Sequence, residues 1–105
     1  MSVSEIKRLL DTMFMAKMNV FHWHVSDTQS FPFASARFPD FVKGAYAPDA
    51  IYTPANVQDI VSYAKDRAII VVPEFDMPSH ASSWSKGLPQ IVTLCVMVSL
   101  REYFY

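Results

Sequence analysis

The sequence has few glycines and cysteines, little net charge and no long hydrophobic run. Only two of its 105 residues are glycine, whereas 51% are hydrophobic and 14% aromatic, which argues against a wholly disordered chain. Cys95 is the single cysteine, and one cysteine does not indicate a redox compartment. A chain of this length normally forms one small domain.

Charge and hydropathy exclude several classes of partner. Nine basic and ten acidic residues give a net charge of −1, so we expect no nucleic-acid partner. Charged residues interrupt every apolar run well before about 18 residues, so no membrane-spanning helix is predicted. The N-terminus, MSVSEIKR, lacks the apolar core of a signal peptide, and none is predicted.

The first half of the chain predicts a helix, a strand and a long connection. Ser2 and Glu5 have capping-box spacing, and apolar residues then recur at helical spacing, which predicts a helix over residues 3–16. Strand-forming residues follow over 18–25. Residues 26–52 have three prolines and no sustained period, and loops of this length are usually functional.

The second half predicts another helix and strand. Thr53-Pro54 is a typical helix start, and an apolar stripe continues from it to Ala68. Residues 69–72 are continuously apolar, which is typical of a strand buried on both faces of a parallel sheet. The order helix, strand, long loop, helix, strand predicts an α/β fold with right-handed crossovers.

Acidic and imidazole side chains gather where both predicted strands end. They are His22, His24, Asp27, Glu74, Asp76 and His80. Burying such groups costs free energy unless they are paired, so a purely structural strand rarely has so many. Active sites of (β/α)8 barrels lie at the carboxyl ends of the strands. We therefore expect the two ends to form neighbouring parts of one active-site rim.

Other interpretations of these residues stay open at this point. Glu74 can equally be a structural acid that bonds neighbouring loops. His22 and His24, with Asp27 nearby, have a spacing that can bind zinc in a metal-dependent hydrolase. Because only His80 remains as a further histidine, we prefer imidazoles that are hydrogen-bonded in the barrel wall.

Two further groups of residues are interpreted without a catalytic role. One group consists of hydroxyls near His80 that lack a Gly-x-Ser-x-Gly turn and give weak support for a nucleophile: Ser79, Ser82 and Ser83. The other is expected to lie in the core: Met13, Phe14, Met15, Met18 and Phe21.

Several separated motifs, in a fixed order, resemble a known family. They are LDTM (10–13), KMNVFHWH (17–24), DTQSFPF (27–33), YTP (52–54), YA (63–64) and EFDMPSH (74–80) with Trp84. Together they resemble the catalytic barrel of glycoside hydrolase family 20, the β-N-acetylhexosaminidases, over about residues 6–95. The resemblance implies a partial (β/α)8 TIM barrel of about two βα units. Residues 96–105 are predicted to be a divergent tail.

The resemblance implies a chemistry and a set of site residues. Family members hydrolyse terminal N-acetylglucosamine or N-acetylgalactosamine from glycoconjugates or chitin oligosaccharides, through attack by the substrate's own acetamido group. Asp27 and His80 would form a relay to the general-acid glutamate. His24, Glu74, Asp76 and Trp84 would lie in the substrate pocket or behind it. No cofactor or metal is implied.

The resemblance also implies what these 105 residues do not supply. The family's catalytic Asp-Glu pair lies on a later strand, and Cys95 resembles a cysteine whose partner lies further along the chain. We therefore expect this chain to be a truncated product, poorly folded and inactive alone, or a non-catalytic interaction piece. Full-length relatives are often dimeric, and animal relatives are lysosomal or secreted.

Overall fold

The computed structural model describes residues 1–25 and 27–92. Within them, two helices and two strands alternate: α1 (Val3–Met15), β1 (Val20–His24), α2 (Pro54–Lys65) and β2 (Ile70–Glu74). The same part of the chain contains three short 3₁₀ helices: Pro39–Gly44, Ser82–Lys86 and Pro89–Ile91. The predicted order of elements is confirmed, and residues 26–52 form the predicted long connection, apart from Ser26, which is not described.

Both α-helices begin at a capping box. The Ser2 hydroxyl accepts from the Glu5 N–H, while Glu5 accepts the Ser2 N–H at 2.6 Å. Thr53 and Asn56 repeat this reciprocal arrangement at the start of α2. Each box satisfies backbone N–H groups that have no partner within the helix. The predicted stripe of α2 extended too far, because Ala68 lies in a turn with φ +54° and is exposed.

The two described strands form a parallel pair. Val20 lies opposite Ile70 and His24 opposite Glu74. One face of the pair packs against the helices, and Phe21 and Trp23 are buried there with Leu10 of α1 and Ile60 of α2. Alternation along each strand sends the neighbouring side chains, among them Val20, His24, Ile70 and Glu74, to the other face, which we call the open face.

The prediction that β2 is buried on both faces is wrong for this structure. Ile70 and Val72, on the open face, are 64% and 45% exposed. The helices cover only the face that contains Phe21 and Trp23. The apolar run of β2 is the pattern of a barrel strand, and no described element packs on its second face.

The predicted methionine and aromatic core is only partly confirmed. Met13 and Phe21 are buried, whereas Phe14, Met15 and Met18 are exposed. Phe14 and Met15 lie on the exposed side of α1, and Met18 follows the end of that helix. Among residues 1–25 and 27–92, no helix is long and apolar enough to cross a membrane.

Candidate functional site

Asp27 and His80 meet beyond the carboxyl ends of the two strands. The Nδ1 atom of His80 lies 2.9 Å from Oδ1 of Asp27. An ionised carboxylate only accepts hydrogen bonds, so the His80 ring carries its proton on Nδ1 in this contact. Oδ1 also accepts the Thr28 N–H at 2.7 Å. The structure thus brings together two residues that are 53 positions apart in the sequence.

These contacts shift the pKa values of both groups. The hydrogen bond from His80, followed by that from the Thr28 N–H, lowers the pKa of Asp27. The hydrogen bond to Asp27, followed by the charge of Asp76, raises the pKa of His80. Each shift favours the charged form of its group. Asp27 is therefore held as a carboxylate that orients the His80 ring.

A second group of polar side chains lies on the open face. Nε2 of His22 is 2.5 Å from Oε2 of Glu74, across the paired strands. Oδ2 of Asp76 lies 3.8 Å from Nε2 of His24 and 3.9 Å from Nε2 of His80. Asp76 thus stands between the two imidazoles, close enough for charge attraction and beyond hydrogen-bond distance in both contacts.

The open face shows where Glu74 and the two strand imidazoles lie, while their roles stay predictions. The His22–Glu74 ion pair gives Glu74 a partner on the neighbouring strand, as expected of a structural acid. Among the residues that the structure describes, no group of three or more histidine, cysteine or acidic residues could hold a metal ion. The zinc alternative for His22 and His24 therefore has no complete ligand set there.

Trp84 lies in an aromatic cluster beside this site. Its ring stacks on Phe41, with centroids 4.8 Å apart, and meets the edge of Phe31 at 5.4 Å. Trp84 and His80 also line one cavity of about 490 Å³. Among the described side chains, the indole Nε1 of Trp84 is a buried donor without a hydrogen-bond partner. Trp84 thus connects the aromatic packing to the space beside His80.

The sequence did not single out Ser83 beyond its nearness to His80. Its hydroxyl is buried and donates to the backbone carbonyl of Asp27 at 2.7 Å. No sequence motif reveals this contact, because the acceptor is a backbone atom 56 positions away. His80 itself has φ +53°, in the left-handed region.

The predicted roles of the site residues stay predictions. The structure brings Asp27 to His80 and places His24, Asp76 and Trp84 around them. Glu74 lies next to His22 on the open face. Cys95 and the predicted tail at 96–105 lie outside the described residues, so the division at residue 95 also stays a prediction.

Comparison with known proteins shows which family this chain is similar to. The family model of the glycosyl hydrolase family 20 catalytic domain matches residues 1–103. The chain is 46% identical over 94 residues to β-hexosaminidase subunit beta of Felis catus, covering 89% of this chain and 18% of that protein. It is 45% identical over 96 residues to β-hexosaminidase A of Caenorhabditis elegans, covering 90% and 17%.

A solved structure gives the same result at the level of the fold. The β-N-acetylhexosaminidase of Bacteroides fragilis superposes with a TM-score of 0.78 and 35% identity, over 86% of this chain and 20% of that one. The chain therefore spans about a fifth or less of the length of these relatives, and its two strands and helices are part of a (β/α)8 barrel. With the family model matched along nearly the whole sequence, this chain belongs to glycosyl hydrolase family 20.

Proposed function

We propose that this chain forms the Asp27–His80 part of the active site of a β-N-acetylhexosaminidase. The observation that carries the proposal is the hydrogen bond between these side chains at the strand ends, in a chain of this family. Relatives that match it are named β-hexosaminidases. The whole enzyme would remove terminal N-acetylglucosamine or N-acetylgalactosamine from glycans.

The Asp27–His80 pair would act by positioning the general acid. Asp27 holds Nδ1 of His80, which leaves Nε2 for a hydrogen bond to a catalytic glutamate on another strand of the barrel. A glutamate held in this way keeps its geometry and has its pKa adjusted for proton donation near the working pH. The raised pKa of His80 supports this role, because the ring is kept as a donor.

The reaction would be substrate-assisted and would retain configuration. The acetamido oxygen of the substrate attacks the anomeric carbon while the glutamate protonates the leaving oxygen, and water then opens the oxazolinium intermediate. No metal or cofactor takes part. His24, Asp76 and Trp84 would line the pocket or stand behind it, and Glu74 would support the pocket through His22.

The 105 residues alone are expected to release no sugar. They contain no Asp-Glu pair, and the open face lacks the neighbouring strands on which the acid would lie. The chain alone would then be a non-catalytic piece of this enzyme. We also place the whole enzyme in the lysosome or outside the cell, and we expect it to be dimeric.

A graft tests this proposal directly. The chain replaces the matching segment of the Bacteroides fragilis β-N-acetylhexosaminidase, which supplies the rest of the barrel. We expect the graft to hydrolyse an aryl N-acetyl-β-glucosaminide and not the aryl β-glucoside, which lacks the acetamido nucleophile. Asp27→Asn and His80→Gln are each expected to lower kcat by about 10²-fold or more, the usual range for general acid catalysis.

Matched substitutions serve as controls. Asp49→Asn makes the same change at an exposed loop position and is expected to leave kcat unchanged. His22→Gln alters an imidazole that pairs with Glu74 and not with Asp27, and it should lower kcat much less than His80→Gln does. A graft that folds and is active but tolerates both Asp27→Asn and His80→Gln would contradict the proposal. Equal losses in His22→Gln and His24→Gln, with restoration by zinc, would favour the metal-dependent alternative.

A further inference from the structure

We propose that Ser83 is a positioning residue for the Asp27–His80 pair. This inference rests on the proposed function and extends it to a residue without a predicted role. Ser83 holds the backbone of Asp27, so that the Asp27 carboxylate stays within hydrogen-bond distance of the His80 ring. Its hydroxyl would touch neither substrate nor the reacting atoms.

Burial and hydrogen bonding set Ser83 apart from the other polar residues that the structure describes. Its side chain is 2% exposed, and among residues 1–25 and 27–92 it is the one buried polar residue. Its Oγ donates to the carbonyl oxygen of Asp27 at 2.7 Å. A buried hydroxyl keeps its place only where it has such a partner, so this bond fixes the local geometry.

The bond from Ser83 is a second link between two segments that the His80–Asp27 hydrogen bond also joins. Asp27 and Ser30 form a closed turn, with the Asp27 N–H donating to Ser30 at 3.0 Å and the Ser30 N–H donating back at 3.2 Å. Ser83 lies three residues after His80, at the start of the second 3₁₀ helix. The segment that contains His80 therefore binds Asp27 at two points, through the His80 ring and through the Ser83 hydroxyl.

The backbone of Ser83 also lies in close contact with Gly44. A Cβ built on Gly44 would lie 2.5 Å from the carbonyl oxygen of Ser83. The Gly44 carbonyl also accepts the N–H of Phe31, which follows the Asp27–Ser30 turn. The first 3₁₀ helix thus contacts both the segment that contains Ser83 and the segment that follows the Asp27–Ser30 turn. The backbones of Gly44 and Ser83 therefore approach closely enough to leave no room for a Cβ at position 44.

The Ser83→Ala variant isolates the hydroxyl. It leaves no orphaned acceptor, because the Asp27 carbonyl still accepts the Ser30 N–H, and it adds no volume. Looser placement of Asp27 would weaken its hold on His80 and hence on the general acid. Because misplacement by about 1 Å costs about 10²-fold in rate, we expect kcat to fall about 10-fold to 10²-fold, with KM nearly unchanged.

The experiment uses the full chain in the family 20 graft described above. The kcat, the KM and the pH dependence of kcat are measured for Ser83→Ala and for Ser85→Ala. Ser85 is the matched control, because its hydroxyl also donates to a backbone carbonyl, that of Ser82 at 2.6 Å, without touching Asp27. Ser85→Ala should keep the parent kcat and pH profile.

The pH profile is the readout that a merely structural role would not move. His80 faces two carboxylates, Asp27 and Asp76, and Asp76 also faces His24. If Ser83→Ala weakens the Asp27 contact alone, the limb of the kcat–pH curve that reflects His80 ionisation should shift to lower pH. It should then approach the curve measured for Asp27→Asn. A parental kcat and profile in Ser83→Ala would overturn the inference.

Two further comparisons keep the inference testable. If Ser83→Ala does not fold, Ser83→Thr should keep a higher kcat than Ser83→Val, which has the same shape without the hydroxyl, and equal kcat values would overturn the inference. In an Asp27→Asn background, Ser83→Ala should cost no further activity, and an additive loss would overturn the inference. Loss of activity in Asp27→Asn and His80→Gln, without loss in Ser83→Ala, would refute the role of Ser83 and leave the proposed function intact.

Discussion

Replacing Gly44 by alanine tests the contact between the first two 3₁₀ helices. The added Cβ would lie 2.5 Å from the carbonyl oxygen of Ser83 and 3.1 Å from its carbonyl carbon. Ordinary van der Waals contact begins at 3.4 Å, so the methyl group is about 1 Å too close to a backbone that cannot rotate aside. Forcing an extra methyl into such a contact costs about 1–3 kcal/mol.

The effect is measured by thermal unfolding of the graft and of its Gly44→Ala variant. For a barrel of about 250 residues, each kcal/mol lowers the midpoint by about 2–4 °C, so we expect a decrease of about 2–12 °C. The same displacement moves Ser83, so kcat should also fall. Separation of the two 3₁₀ helices would then appear both in stability and in catalysis.

Two comparisons make the result specific. Lys43→Ala changes the preceding residue, whose side chain is exposed and pairs with Asp40 on the surface, and it should shift the midpoint little. Gly87→Ala should destabilise as well, since its Cβ would lie within 2.1 Å of the Asp40 carbonyl oxygen. A Gly44→Ala graft with the parental midpoint and kcat would contradict a tight contact between Gly44 and Ser83.

Three other substitutions test the site, the core and the open face. NMR titration of the graft should give His80 a pKa above its usual 6.5, and Asp27→Asn should lower it. A raised histidine pKa stabilises the fold below the unfolded pKa and loses this effect as pH rises through the folded pKa. The lowered pKa of Asp27 stabilises the fold above pH 3.8, its usual pKa, and this effect is lost as pH falls through the folded pKa. The ion pair therefore contributes most to stability between pH 3.8 and pH 6.5, the usual pKa values of Asp27 and His80. Ile60→Ala should lower the free energy of unfolding of the graft by about 2–5 kcal/mol in chemical denaturation, whereas the partly exposed Val61→Ala should cost much less. Val72→Lys should reduce light scattering by the isolated chain, since it adds charge to an exposed apolar face, and it should inactivate the graft, where we expect that face to be buried in the barrel interior.

Elements whose signals are local could be predicted from the sequence. Ser2 with Glu5 and Thr53 with Pro54 mark helix starts within a few residues, and both helices begin there. The end of α2 has no such local signal, because a positive φ at Ala68 stops the helix although the apolar stripe continues to that residue. The exposure of Ile70 depends on which elements cover β2, and an apolar run cannot specify that.

The location of the site could be predicted from the sequence, because it lies where the two strands end. Alternation and parallel pairing predict that residues beyond β1 and β2 meet at one edge, and Asp27 and His80 do meet there. Their roles came from the family resemblance alone. Ser83 was missed because hydrogen bonding to a backbone carbonyl leaves no pattern in side-chain types. Its contact depends on the three-dimensional path of the loop.

The open face connects the fold of this chain to its proposed chemistry. The apolar side chains of Ile70 and Val72 share that face with the paired His22 and Glu74, and all four are at least partly exposed. In a complete barrel, side chains from the strands across the barrel interior would remove water from all of them at once. Removing water strengthens charge interactions, because the effective dielectric constant falls. We therefore infer that barrel closure both stabilises β2 and strengthens the His22–Glu74 pair, so that folding and activity should be gained together.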